Sequence, residues 1–218
     1  MPAPHRAKTA YDDGAAYDAH RHGSFRHRLI RRKEDAALAE YISRLGADNM
    51  LLLDVACGTG NALRVACGMG ATAIGLDVSL GMLRAVPEKV GDAERGVTLV
   101  VGDAEHLPFA DAAFDCVSAF RLIAHLPPQV CDTVMRELAR TTSDAVILTH
   151  NHSVCLEYAV RRLLGLLKSR SRRKAAHPAV TVGQMRAQLR RAGLRLESLR
   201  FVAPLWQEEC IVLARKRP

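Results

Sequence analysis

Leu52-Leu53-Asp54-Val55-Ala56-Cys57-Gly58-Thr59-Gly60-Asn61 is an apolar run that ends in a glycine turn and leads into a segment of helical spacing. Glycines let a backbone approach a ligand closely and take dihedral angles that other residues resist, so a strand, a glycine turn and a helix in this order suit a nucleotide-like ligand. Two cofactor classes compete for the stretch. A dinucleotide fingerprint needs Gly-x-Gly-x-x-Gly, and the residue three after Gly60 is Leu63. Asp54 also speaks against a pyrophosphate, because a carboxylate at that point faces a cation more comfortably. A sulfonium amino acid suits it better.

On either side of this stretch the same pattern repeats. Short, almost wholly apolar runs at Met50–Val55, Ala71–Leu76, Val97–Val101, Phe114–Phe120 and Ala145–Leu148 read as strands, and they lie about 20 to 30 residues apart. Continuous apolar runs are typical of parallel strands covered on both faces, and the gaps leave room for helices at Asn61–Cys67, Ser79–Val86 and Pro128–Arg140. The arrangement is β-α-β winding. Ahead of it, Leu29, Ile30, Ala37, Leu38, Tyr41, Ile42 and Leu45 recur at helical spacing from Arg26 to Leu45, with Gly46 as the stop.

Two further acids fall at strand ends. Asp77 closes Ala73-Ile74-Gly75-Leu76, where a carboxylate can accept both hydrogen bonds of a ribose diol, a feature common to NAD and S-adenosylmethionine sites. Asp103 follows Leu99-Val100-Val101-Gly102 and is placed to accept a bond from an adenine amino group. With Asp54 they form one constellation on the binding edge of an open parallel sheet.

The last part of the chain changes character. Leu156, Ala159, Val160, Leu163, Leu164 and Leu167 share one helical face, and the run Lys168-Ser169-Arg170-Ser171-Arg172-Arg173-Lys174 comes next. This reads as a helical basic insertion at about residues 152–178, reached after a single domain has begun at residue 26. Thr181 with Gln184 forms a capping-box pattern that opens a helix through Arg191, closed by Gly193, and strands at Arg195–Val202 and Glu209–Ala214 complete the pattern. Residues 1–25 are polar, with Tyr11 and Tyr17, and read as a mobile arm or cap.

At 218 residues the chain suits one α/β domain with an appendage, since domains average about 150 residues. Hydrophobic residues at 49% exclude global disorder, and a net charge of +8 favours an anionic partner. Aromatic residues at 5% disfavour a surface that stacks successive bases, so nucleic acid is a disfavoured partner. No run approaches the roughly 18 apolar residues of a membrane span, and the expected location is the cytoplasm. Six scattered cysteines without a Cys-x-x-Cys pair fit neither a zinc site nor a disulfide framework; no metal is expected, and the thiols read as reduced, mostly buried small hydrophobes. Oligomeric state is not encoded in any of these patterns.

Taken together, the turn from Asp54 to Gly60, Gly75-Leu76-Asp77-Val78-Ser79 with Met82-Leu83, Gly102-Asp103-Ala104-Glu105-His106-Leu107-Pro108-Phe109 and Ala113-Phe114-Asp115-Cys116-Val117 resemble the class I S-adenosylmethionine-dependent methyltransferases. The resemblance is to their small-molecule branch, which includes the ubiquinone/menaquinone-biosynthesis enzymes, and it runs from about Tyr11 to the C-terminus. It implies a Rossmann-like, doubly wound α/β fold with a seven-stranded sheet, mostly parallel with an antiparallel last strand, and helices on both faces. It further implies that Asp54, Gly58 and Gly60 line the methionine moiety of the cofactor, Asp77 holds its ribose and Asp103 with Ala104 meets its adenine, with Ala56 and Val78 as further cofactor-binding candidates. Tyr17 in the arm, with Tyr11 and Arg21, would close over it.

The chain also departs from the family pattern. Thr141-Thr142-Ser143-Asp144 replaces a Lys-Pro-Gly-Gly turn common among relatives, and no Asn-Pro-Pro-Tyr segment comes after the fourth strand, which disfavours base and glutamine amino-methylation. That slot holds Phe120-Arg121-Leu122-Ile123-Ala124-His125-Leu126-Pro127. His125 and His150 are the candidate bases, since histidine titrates near neutral pH; each is equally suited to a packing role. His150 and His152 lack a convincing third metal ligand. The expected function is methyl transfer to an O, N or C nucleophile of a small molecule, one that is anionic or linked to lipid or carbohydrate if the basic run contributes. The alternatives are an RNA methyltransferase and a non-catalytic relative that binds the cofactor.

Overall fold

Leu52 and Leu53 are adjacent and both fully buried, yet they serve two different cores. Side chains alternate across a strand, so a strand that is apolar at every position must be covered twice. The computed structural model, which describes residues 25–91, 96–153, 180–202 and 209–217, places Leu52 and Leu53 in an interior strand of one seven-stranded sheet, with a neighbouring strand on either side.

The elements run α1 (Phe25–Leu45), β1 (Leu51–Val55), α2 (Asn61–Gly68), β2 (Thr72–Asp77), α3 (Leu80–Arg84), α4 (Val86–Val90), β3 (Val97–Val101), β4 (Phe114–Ala119), α5 (Pro128–Thr141), β5 (Thr142–Asn151), α6 (Val182–Arg191), β6 (Leu194–Phe201) and β7 (Glu209–Lys216), with a 3-10 turn at Ile123–His125. The strand order is β3-β2-β1-β4-β5-β7-β6. Strands β1 to β5 pair in parallel, and β7 runs antiparallel to both β5 and β6. On one face α1, α2 and α4 pack through Leu38, Tyr41, Ile42, Leu63 and Val86 onto Leu52, Ala73, Ile147 and Ile211. On the other, α5 and α6 pack through Val134, Met135, Leu138, Met185 and Leu189 onto Leu53, Val117, Val146 and Val212. The seven strands, the reversed last strand and the helices on both faces agree with expectation.

Four local readings are corrected. The segment expected as one helix over Ser79–Val86 is two short ones, because Pro87 at the start of α4 has no N–H to continue the ladder. Strand β5, expected from Ala145, starts at Thr142 immediately after α5, so helix and strand join without a loop. The Thr141 hydroxyl donates to Glu137 O (2.8 Å) and the Thr142 hydroxyl to Ala145 O (2.8 Å), which satisfies the junction. Strand β3 is the sheet edge and is only partly covered, with Val101 exposed. Leu29, counted on the apolar stripe of α1, is also exposed.

The capping box forms as read: Gln184 N–H donates to Thr181 Oγ1 (3.2 Å) and Thr181 N–H to Gln184 Oε1 (2.8 Å). Tyr17 and the arm, residues 154–179 with the basic run, and Cys155 lie outside the described residues.

Candidate functional site

The strand order reverses between β1 and β4, the place where open α/β sheets bind ligands beyond their carboxyl ends. There Asp54 pairs in register with Ser118 of β4 and accepts its hydroxyl proton at 2.6 Å. Asp54 is 2% exposed, and burial pushes its carboxyl up from 3.8 to about 7, with the Ser118 bond opposing and Asp77 adding to the rise. No ion pair joins Asp54 to a basic side chain among the described residues.

Past β1 the chain turns through left-handed backbone at Ala56 (φ 57°), Gly58 (φ 54°) and Gly60 (φ 84°) before α2 begins. Asp77, at the end of β2, holds this turn: its carboxylate accepts from Gly58 N–H (2.8 Å) and Ser79 N–H (2.9 Å). A Cβ on Gly60 would sit 2.8 Å from Val86 Cγ1, so only glycine lets α4 lie against the turn. Burial raises the Asp77 carboxyl, partly offset by these backbone donors.

Asp103 follows β3 and accepts from Glu105 N–H (3.1 Å), with Ala104 half-buried beside it. The loop after it is tied to α5 by Arg140, which donates to Phe109 O (2.8 Å) and Leu107 O (3.1 Å), while Leu107 N–H donates to Glu137 Oε2 (2.9 Å). These hydrogen bonds hold the Glu137 carboxyl below its ordinary range, Arg140 being the main cause. The carboxyl edge thus carries Asp103, Asp77 and Asp54 on three neighbouring strands.

A cleft partly open to solvent lies beside Asp54 and is lined by Ala56, Cys57, Gly58, Thr59 and Asn61, by Arg31, Glu34, Asp35 and Leu38 of α1, and by Phe120 and Arg121 after β4. Asp54, Ala56 and Gly58 therefore meet in one cavity. Gly60, Asp77, Val78, Asp103 and Ala104 are close in the fold but outside that lining. Cys57 is a poor nucleophile, its thiol raised by burial and by the nearby acids.

The two histidines lie elsewhere. His125, exposed, ends the 3-10 turn and donates its N–H to Leu122 O (3.0 Å). His150 is 4% exposed on the α6 side of the sheet, with Nε2 3.2 Å from Gln188 Oε1 and Nδ1 3.2 Å from Asn151 O. Burial lowers its proton affinity. Neither lines the cleft.

Glu34 and Arg121 were not expected. Arg121 has a left-handed backbone (φ 57°), its N–H donates to Thr149 Oγ1 (2.6 Å), and its guanidinium grips Glu34. A signal for Glu34 exists in the sequence: it stands four residues from both Ile30 and Leu38, a charge on the apolar stripe of α1.

Residues 52–145 match the family model described as a methyltransferase domain. The chain is 52% identical over 69 residues to the demethylmenaquinone methyltransferase of Thermobifida fusca (31% of this chain, 29% of that protein). It is 39% identical over 119 residues to the enzyme of the same name from Anoxybacillus flavithermus (52% and 46%), so it spans less than half the length of these curated relatives. Among solved structures it is similar to magnesium protoporphyrin IX methyltransferase of Synechocystis PCC 6803 with bound S-adenosylhomocysteine, with a TM-score of 0.78 at 18% identity over 95% of this chain and 97% of that one. That likeness concerns the fold.

Proposed function

From a chain that carries a methyltransferase domain at residues 52–145 on a class I methyltransferase fold, we infer transfer of a methyl group from S-adenosylmethionine to an O, N or C nucleophile of a small molecule. The observation that carries this reading is Asp54, a buried acid that faces the cleft at the sheet's switch point with a hydroxyl as its partner. A carboxylate so placed is stabilised by an ammonium group, and the amino-acid end of the cofactor supplies one.

The donor set fits the rest of that molecule. Ala56, Gly58 and Gly60 present backbone rather than bulk to the methionine moiety. Asp77 retains lone pairs for a ribose diol, because its two oxygens can take about four bonds. Asp103, with Ala104, suits an adenine amino group, and Val78, 40% exposed, offers apolar cover. Tyr17 remains a candidate closing residue.

The cofactor when bound supplies a methyl group already activated by a sulfonium. The residues of the chain are left with alignment of the acceptor and exclusion of water. A base is required only for an acceptor that arrives protonated, and His125 and His150 stay candidates for that role.

Calorimetry decides the cofactor: S-adenosylhomocysteine should bind and NAD should not. Tighter binding of NAD would overturn the reading. Comparison of metabolites from cells with and without the protein, searched for a mass change of one methylene, would then identify the acceptor.

A further inference from the structure

Between β3 and β4 the chain crosses residues 102–113 outside any helix or strand, and β3 is the edge of the sheet, with a neighbour on one side only. A segment of that length on a sheet edge keeps one position only where something pins it. The last turn of α5 does so. Leu107 is gripped at both of its backbone groups: its N–H donates to Glu137 Oε2 (2.9 Å) and its carbonyl accepts from Arg140 Nη2 (3.1 Å). Arg140 Nη1 donates to Phe109 O and to Asp111 Oδ1 (both 2.8 Å), and Nε and Nη2 donate to the two oxygens of Glu137 (both 2.8 Å). A guanidinium has five N–H donors, and each is used here. Ala112 N–H donates to Arg140 O (2.8 Å), and the Phe109 ring stands edge-on to Phe114 of β4 with centroids 5.0 Å apart.

The clamp is mounted without slack at either end. Helix α5 runs into β5 with no loop, which fixes Glu137 and Arg140 to the sheet. In the other direction, Asp103 precedes Leu107 by one tight turn, closed by His106 N–H to Asp103 O (3.0 Å) and Glu105 N–H to Asp103 Oδ1 (3.1 Å). A shift at Leu107 therefore moves the Asp103 carboxylate.

We propose that Arg140 and Glu137 are positioning residues for nucleobase recognition: they fix the Asp103 carboxylate where it accepts from an exocyclic amino group, and so make the site selective for adenine over a base with oxygen at that position. The proposal rests on the reading of Asp103 as the adenine contact. Hypoxanthine presents a carbonyl oxygen there and an N–H on the adjacent ring atom. A pinned carboxylate meets the oxygen and repels it, whereas a loosened one swings to the N–H and accepts from it. Loss of the clamp thus costs selectivity as well as binding. Lysine is no substitute, because its ammonium is a compact point charge that does not span Leu107 O, Phe109 O and both Glu137 oxygens at once.

The test is calorimetry on the full chain with S-adenosylhomocysteine and S-inosylhomocysteine, which differ only in that part of the base. The wild-type protein should favour the adenosyl ligand by about 10- to 100-fold, the range of a hydrogen bond to a charged group. Arg140→Met should bring the ratio to within about threefold of unity, and the milder Arg140→Lys and Glu137→Gln should each lower it by about threefold or more. Val134→Ala, which trims the buried face of the same helix, should lower the urea midpoint and leave the ratio as in the wild type. A merely structural clamp would behave as Val134→Ala does, with both affinities changing in step. A wild-type ratio kept in Arg140→Met, or in both milder variants where Arg140→Met does not fold, would overturn the proposal and leave the cofactor reading standing. A wild-type protein that binds both ligands equally would overturn the proposal together with the adenine role of Asp103, and one that binds neither would overturn the whole cofactor reading.

Discussion

Cofactor affinity should depend on pH through Asp54, and the size of the effect comes from its burial. The carboxyl is held at about 7 rather than 3.8 because it has been taken out of water with a hydroxyl as its partner. An ammonium binds the ionised form. Below about pH 7 the acid must first release a proton, so affinity for S-adenosylhomocysteine should fall about tenfold, or about 1.4 kcal/mol, per pH unit, and level off above about 7. The same shift acts on stability with a definite sign. A carboxyl whose folded pKa is raised keeps its proton where the unfolded chain has lost it. Its stabilising contribution is therefore greatest below 3.8, is lost as pH rises from 3.8 to about 7, and is constant above that. Roughly three units correspond to about 4 kcal/mol at most. Asp54→Asn should remove both slopes. Calorimetric titrations from about pH 5 to 8, with urea unfolding of wild type and variant in the same buffers, measure each. A flat affinity between about pH 5 and 7, or a variant that keeps the wild-type slope, would show that Asp54 does not hold the ammonium.

Asp77→Ala should weaken S-adenosylhomocysteine by about 1 to 3 kcal/mol, the range for charged hydrogen bonds, and calorimetry at one pH checks it. Gly60→Ala combines left-handed strain with the contact at Val86 and should destabilise by about 2 to 4 kcal/mol, while Gly58→Ala, whose Cβ meets nothing within 4 Å, should cost only the strain of about 1 to 2. Equal urea midpoints for the two variants would contradict that division. His125→Asn should cost around 10² to 10⁴ in turnover if this histidine is the base; a loss under tenfold with the true acceptor would remove His125 from that role. Replacing Arg170, Arg172 and Arg173 by Gln should raise the Michaelis constant of an anionic acceptor, most at low salt, with cofactor affinity unchanged.

The strands and the three acids were legible because both rest on local pattern. A doubly covered strand must be apolar at every position, and a ligand site at a carboxyl edge puts its acids at the ends of such runs, as with Asp54 after Leu52-Leu53 and Asp77 after Gly75-Leu76. Strand β3 breaks the rule in one direction, since it is apolar and yet half-covered at the edge. The pair of Glu34 and Arg121 was hidden for a different reason. Its members stand 87 residues apart, and no periodicity records a contact made across the sheet. The break between α3 and α4 was visible in Pro87. Arg140 and Glu137 read as an ordinary helix-surface pair, and only the fold reveals that they anchor the loop of Asp103.

The seam between Asn151 and Val180 bears on how a fold of this kind acquires new segments. Val180 N–H donates to Asn151 O (3.0 Å) and Ser153 N–H to Val180 O (3.1 Å), so the chain leaves the sheet and rejoins it through adjacent, mutually hydrogen-bonded residues. The seam is closed by backbone hydrogen bonds at its two ends. Doubling the number of residues in a loop closed at such a seam costs only about 0.6 kcal/mol in closure entropy, far less than repacking either core. A lineage can therefore exchange the sequence between the two ends of the seam by recombination rather than by point substitution, and inherit the Asp54 edge intact. An engineer can graft a foreign segment between Ser153 and Val180 on the same grounds.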